Sequence, residues 1–123
     1  MTGKFLMAPD IQERSFEFAC RVVKLSQAME KLGSVPRTLS SQLLRSATSI
    51  GANVEEAQAA QSKADFTAKM YISCKEAREA NYWIRLLIKT QLLPENQLSD
   101  LLDESHQLVA ILTTITKSSR ANQ

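Results

Sequence analysis

Apolar residues recur at spacings of three and four through most of the chain, and Gly, Pro and capping residues punctuate the series into four helical segments. In the first segment Ile11, Phe18, Val22, Leu25, Met29 and Leu32 follow heptad spacing and predict a helix over 11–32. Asp10 and Glu13 stand as its N-cap and third helical residue, Gly33 and Ser34 close it, and Pro36 restarts the chain. The second helix is predicted over 38–61, with Leu39, Leu43, Ala47, Ile50, Val54 and Ala57 on one face. Ser62 with Asp65 resembles a capping box for the third helix, although AQAAQSKA just before it contains no breaker and helix 2 could overrun it.

The third helix, over 63–91, turns Phe66, Met70, Cys74, Ala77, Asn81, Ile84 and Ile88 inward, and Pro94 ends the run. The fourth, over 95–117, has Leu98, Leu101, Leu108, Leu112 and Ile115 on its seam, with Ser105 where the spacing calls for another apolar residue. The polar tail from Ser118 is expected to fray. Short connections between long helices force antiparallel neighbours, so the pattern predicts an all-α, antiparallel up-and-down four-helix bundle forming one domain over 1–123.

Residues 45–66, RSATSIGANVEEAQAAQSKADF, carry small side chains and glutamines where a bundle helix would usually carry leucine. Ala47 and Gly51 form a small-xxx-small pair beside Val54 that lets two backbones approach. Glycine inside a helix costs about 1 kcal/mol against alanine, so close packing should compensate at Gly51. Asn53 and Glu56 flank the same seam and are expected to make interhelical polar contacts that fix register, the alternative being a ligand role.

Composition excludes several classes. At 123 residues and 44% hydrophobic, the chain can bury a core without disulfides or metal, and it is too apolar for disorder. Cys20 and Cys74 lie far apart with no CxxC and no clustered histidine, so buried thiols in a reducing cytoplasm are expected, with no metal and no cofactor. The start, MTGKFLMAPD, is too short in apolar residues for a signal segment, and no stretch approaches the ~20 apolar residues of a membrane span. His106 is expected on the helix 4 surface near Ser105, and no nucleophile paired with a base and no HExxH or ExxH set is evident, so the chain is read as non-enzymatic. The remaining catalytic alternative would use Glu55, Glu56 or Glu79 in a cleft between helices.

Charge changes the picture by its distribution, since 15 Lys+Arg against 13 Asp+Glu leave only +2. Tyr71, Lys75, Arg78, Tyr82, Arg85 and Lys89 recur at fours and threes on one face of helix 3, about 100° from the core seam. Cations alternating with tyrosines can hold phosphates and stack bases, and can equally form a solvated flank. Helix 4 is acidic, with Glu95, Asp100, Asp103 and Glu104 before any cation. The two helices are therefore expected either to exchange surface salt bridges or to meet across a protomer interface, to which Tyr82 and Trp83 would contribute.

Residues 42–87, QLLRSATSIGANVEEAQAAQSKADFTAKMYISCKEAREANYWIRLL, resemble the signature of the bacterial four-helix bundle family named after the protein encoded in 23S ribosomal RNA intervening sequences. Typical members read closer to SIPANIAEG where this chain has SIGANVEEA at 49–57, so Gly51 replaces a proline and Ala57 a glycine, which suggests an uninterrupted helix 2. The resemblance implies an up-and-down bundle assembling as a ring-like homopentamer, without an established activity. Family members are similar to accessory proteins of diversity-generating retroelements, basic pentamers that partner a reverse transcriptase and nucleic acid. Two functions are thus expected to compete: a non-catalytic oligomeric scaffold that binds RNA or an RNA-associated protein, and a purely structural homo-oligomer.

Overall fold

The computed structural model describes residues 9–122. They form α1 (Pro9–Met29), a turn of 3-10 helix (Glu30–Leu32), α2 (Ser34–Gln58), α3 (Lys63–Lys89) and α4 (Glu95–Ala121), with no strand among the described residues. Each helix packs along its successor, and a lighter contact between α1 and α4 closes the four-helix bundle. The pairing runs antiparallel. Ser15 lies against Gly51 and Ser26 against Ser40 between α1 and α2, while Thr67, Cys74 and Asn81 of α3 meet Ser119, Thr113 and Ser105 of α4 in descending order.

The helix ends show local chemistry deciding the connections. Gly33 takes φ 119° and ψ −180°, a conformation open essentially to glycine, and so reverses the chain in one residue. α2 then starts at Ser34 rather than near Thr38, because Pro36 lies in the first turn, where its missing N–H leaves no bond unmade. α2 stops at Gln58 without overrunning. Ser62 Oγ accepts from the Asp65 N–H at 3.0 Å and Asp65 Oδ2 accepts from the Gln61 N–H at 3.2 Å, so the cap of α3 ends the run in place of a breaker. α1 begins at Pro9, one residue ahead of the expected Asp10 cap, and the side chain of Asp10 lies outside the described residues.

Two expectations fail for geometric reasons. Leu32 is half exposed, since tightening to 3-10 geometry after Met29 rotates it off the heptad seam. The chain beyond Ser118 does not fray: α4 continues to Ala121, and buried Ser119 shares a 2.5 Å hydroxyl contact with Thr67 that holds its last turns against α3.

The core is otherwise assembled from the anticipated seams, with Ile11, Phe18, Val22, Met29, Leu43, Ile50, Val54, Met70, Ile84, Leu98, Leu108 and Leu112 buried. Leu25, Leu39, Ile88 and Ile115 are only partly covered. α3 buries more than its predicted stripe, adding Ser73, Ala80 and Leu87, because it packs extensively against both α2 and α4. Small residues set the spacing. A Cβ on Gly51 would stand 3.4 Å from the carbonyl oxygen of Ser15, which places the α1 backbone directly over the glycine.

That geometry separates two substitutions. Gly51→Ala adds a methyl group at ordinary contact distance and gains helix propensity, so stability should hold or rise by up to about 1 kcal/mol. Gly51→Leu must push α1 away and should cost about 1–3 kcal/mol. Urea unfolding of both variants checks the order, and an alanine variant weaker than the leucine variant would contradict the close approach.

Candidate functional site

All six residues of the predicted stripe lie exposed along α3. Tyr71 and Tyr82 each keep 48% of their surface open, enough to offer a ring to a partner. Lys75 Nζ lies 5.7 Å from the centre of the Tyr71 ring, and Arg85 Cζ lies 5.8 Å from that of Tyr82. Each i,i+4 or i,i+3 contact is worth about 0.5–1 kcal/mol at an exposed site, so the rings arrange the cations without neutralising them. Sequence reasoning missed Arg120 of α4, whose guanidinium also lies over Tyr71, at 5.6 Å. Its only signal was a position in a tail that looked frayed.

The stripe is anchored to the interior at one point. Arg85 Nε donates to Asn81 Oδ1 at 2.8 Å, Asn81 Nδ2 donates to Ser105 Oγ at 2.9 Å, and Ser105 Oγ donates to the Leu102 carbonyl at 2.7 Å. Ser105 is fully buried, so its hydroxyl occupies the apolar gap in the α4 pattern as part of a satisfied polar chain. Next to it a groove of about 430 Å³ is lined by Tyr82, Arg85, Leu86, Lys89, Glu95 and Leu102.

The carboxylates of α3 point elsewhere. Glu76 and Glu79 both bind Arg45 of α2, Glu76 at 3.4 Å, and Trp83 Nε1 donates to Glu79 Oε2 at 3.2 Å. The hydrogen bond that Arg45 donates to Glu79 holds its guanidinium above the ordinary pKa against an opposing desolvation, and the charges of both carboxylates add to the rise. Trp83 is thereby half-buried against the core, its ring centre 5.0 Å from that of Tyr82 in an edge-to-face arrangement, rather than presented outward. On α4, Glu104 is engaged by Arg14 of α1 through two 2.9 Å bonds, and Arg14 also donates to Gln107 at 2.6 Å. No ion pair joins α3 to α4 among the described residues. The basic flank of α3, with Lys75, Arg78 and Lys89, and the acids Glu95, Asp100 and Asp103 of α4 therefore lack a countercharge among the described residues.

Asn53 does not bridge helices. It turns back on α2, donating to the Ser49 carbonyl at 2.9 Å and to Ser49 Oγ at 3.1 Å, because a short side chain facing its own preceding turn finds that acceptor first. Glu56 reaches Lys69 of α3 at 3.1 Å, through exposed side chains. The buried interhelical contacts are instead hydroxyl-based: Ser26 with Ser40, Ser73 to the Ile50 carbonyl at 2.8 Å, and the three polar pairs between α3 and α4. Of the carboxylates considered for catalysis, Glu55 is exposed and the other two are ion-paired. No cluster of three His, Cys, Asp or Glu suited to a metal occurs among the described residues, and none of their helices is long and apolar enough to cross a membrane.

The profile of the 23S rRNA-intervening sequence protein family matches residues 9–114, nearly the whole bundle. This chain belongs to that family. Among solved structures it is similar to the crystal structure of a protein of unknown function from the S23 ribosomal protein family of Bacteroides thetaiotaomicron, with 41% identity and a TM-score of 0.80 over 87% of this chain and 98% of the other. No curated protein matches the sequence.

Burial distinguishes the two arginine clusters. The side chains of Arg14 and Glu104 are 27% and 19% exposed, whereas Arg45 is 51% exposed. A double-mutant cycle on Arg14 and Glu104 should give a coupling of about 1 kcal/mol, and one on Arg45 and Glu79 well under that after solvent screening. Raising salt should erode the second pair more. Equal couplings would contradict the ranking.

Proposed function

We propose that this chain is a non-catalytic, self-associating adaptor that binds RNA through the exposed face of α3. One observation carries the reading: Lys75, Arg78 and Lys89 have no carboxylate partner among the described residues while half-exposed tyrosines alternate with them. A solvated flank that existed only for solubility would be expected to pair its cations with the acids on α4, and no such ion pair forms among the described residues. Phosphate contacts by Arg78 and Arg85 would supply salt-dependent affinity, and Tyr82 would stack a base without demanding sequence. Membership in the 23S rRNA-intervening sequence protein family is compatible with an RNA setting and assigns no reaction.

A second reading, a purely structural homo-oligomer, is favoured by a different observation. Phe16 is 63% exposed and Val23 41% exposed one heptad apart on α1, an apolar line that a second copy would cover. The resemblance to ring-forming relatives supports a pentamer in either case.

Titrating labelled structured RNA separates the readings. Wild type should bind with affinity that falls steeply with salt, and Arg78→Glu/Arg85→Glu should weaken binding at least tenfold at unchanged helicity. Salt-insensitive or unaltered binding would refute the RNA role. In parallel, light scattering at micromolar concentration should report a multiple of 13.7 kDa that Phe16→Asp reduces, and a monomeric wild type would remove self-association from both readings.

A further inference from the structure

The last turns of α4 and the first half of α3 enclose a second groove, distinct from the one beside Tyr82, with a volume of about 200 Å³. Tyr71, Lys75, Arg78, Thr113, Lys117 and Arg120 line it, and no carboxylate does. Four cations thus converge on one small concavity. Lys75 and Arg120 both lie over the Tyr71 ring, at 5.7 and 5.6 Å, so two like charges from different helices gather at one neutral ring. None of the four has an ion-pair partner among the described residues. Like charges gathered at one point repel, and a bound anion of several charges would relieve that repulsion.

The groove is also anchored. Cys74 Sγ meets Thr113 Oγ1 at 3.3 Å on its floor, and the Thr67–Ser119 contact fixes the α4 turn that carries Lys117 and Arg120. Its volume is below the roughly 300–1,000 Å³ of sites that enclose a drug-sized ligand. A compact group fits. With its ring beneath Lys75 and Arg120, Tyr71 acts as a holder of cations, which leaves stacking to Tyr82.

We propose that this groove binds a compact phosphate group bearing more than one negative charge, either the terminal phosphate of an RNA or a free polyphosphate. The site shares Lys75 and Arg78 with the α3 face, yet it adds two residues of α4 and stands whether or not RNA binds along α3.

Calorimetry with inorganic pyrophosphate, and competition between 5′-monophosphorylated and 5′-hydroxyl RNA of one sequence, test it. Wild type should bind pyrophosphate, Lys117→Ala/Arg120→Ala should weaken that binding at least tenfold, and Arg85→Glu, outside the groove, should leave it unchanged. Lys75→Ala provides an independent variant on α3, and circular dichroism of each variant checks that the fold persists. Preference for the phosphorylated RNA, abolished by Lys117→Ala/Arg120→Ala, supports the site with an RNA end as the source. Pyrophosphate binding without such preference supports it with a free polyphosphate as the source. Absence of pyrophosphate binding by folded wild type, or binding unmoved by both groove variants, overturns the proposal. Loss of RNA binding in Arg85→Glu with pyrophosphate binding intact upholds the groove and locates RNA affinity on the stripe, whereas RNA that never binds wild type removes the α3 reading alone.

Discussion

Close approach between helix backbones is the constraint on which this bundle depends. At Gly51 the α1 backbone passes over α2 at a distance that a methyl group would only just fill, and Ala47, Ala57, Ala77 and Ala80 leave similarly little side chain between helices. Helices packed so tightly cannot be spaced by bulky residues alone, because every extra methylene must be accommodated by moving a rod. α2 remains one continuous helix through this region, which glycine at position 51 permits. A proline would have removed one backbone bond and bent the helix where α1 crosses it.

Tight packing brings polar groups inside, and the structure satisfies them with hydroxyls. Buried Ser and Thr side chains bond either to their own preceding turn or to a neighbouring helix, and no buried side-chain nitrogen or oxygen among the described residues lacks a partner. Along α3 the polar partners Thr67, Cys74 and Asn81 recur every seven residues opposite Ser119, Thr113 and Ser105. A slip of one turn between α3 and α4 would break all three pairings at once, at about 0.5–1.5 kcal/mol each. Register is thereby specified by small polar contacts rather than by charge pairs.

The same arrangement polarises α3. Glu76 and Glu79 are drawn to Arg45 on the α2 side, and Lys75 and Arg78 are left on the side where α4 ends. Coulomb attraction between Glu76, Glu79 and Arg45 is modest in solvent, but it removes the acids that would otherwise offset Lys75 and Arg78. A chain of only slight net charge therefore presents a basic local surface where Lys75, Arg78, Lys117 and Arg120 meet.

Helix number, the seams around Phe18, Ile50, Met70 and Leu108, the Ser62 cap and the exposed α3 stripe were legible in the chain itself, because each depends on periodicity or on residues within one turn of one another. The role of Ser105, the bond from Asn53 back to Ser49, the burial of Ser119 and the arrival of Arg120 over Tyr71 were not legible. Each joins groups whose separation is set by how helices cross, or by which of several nearby acceptors a short side chain meets first. Local spacing thus determined which faces turn inward, while tertiary packing decided which polar atoms pair between helices and where positive charge gathers, since those outcomes depend on distances between rods that no single helix encodes.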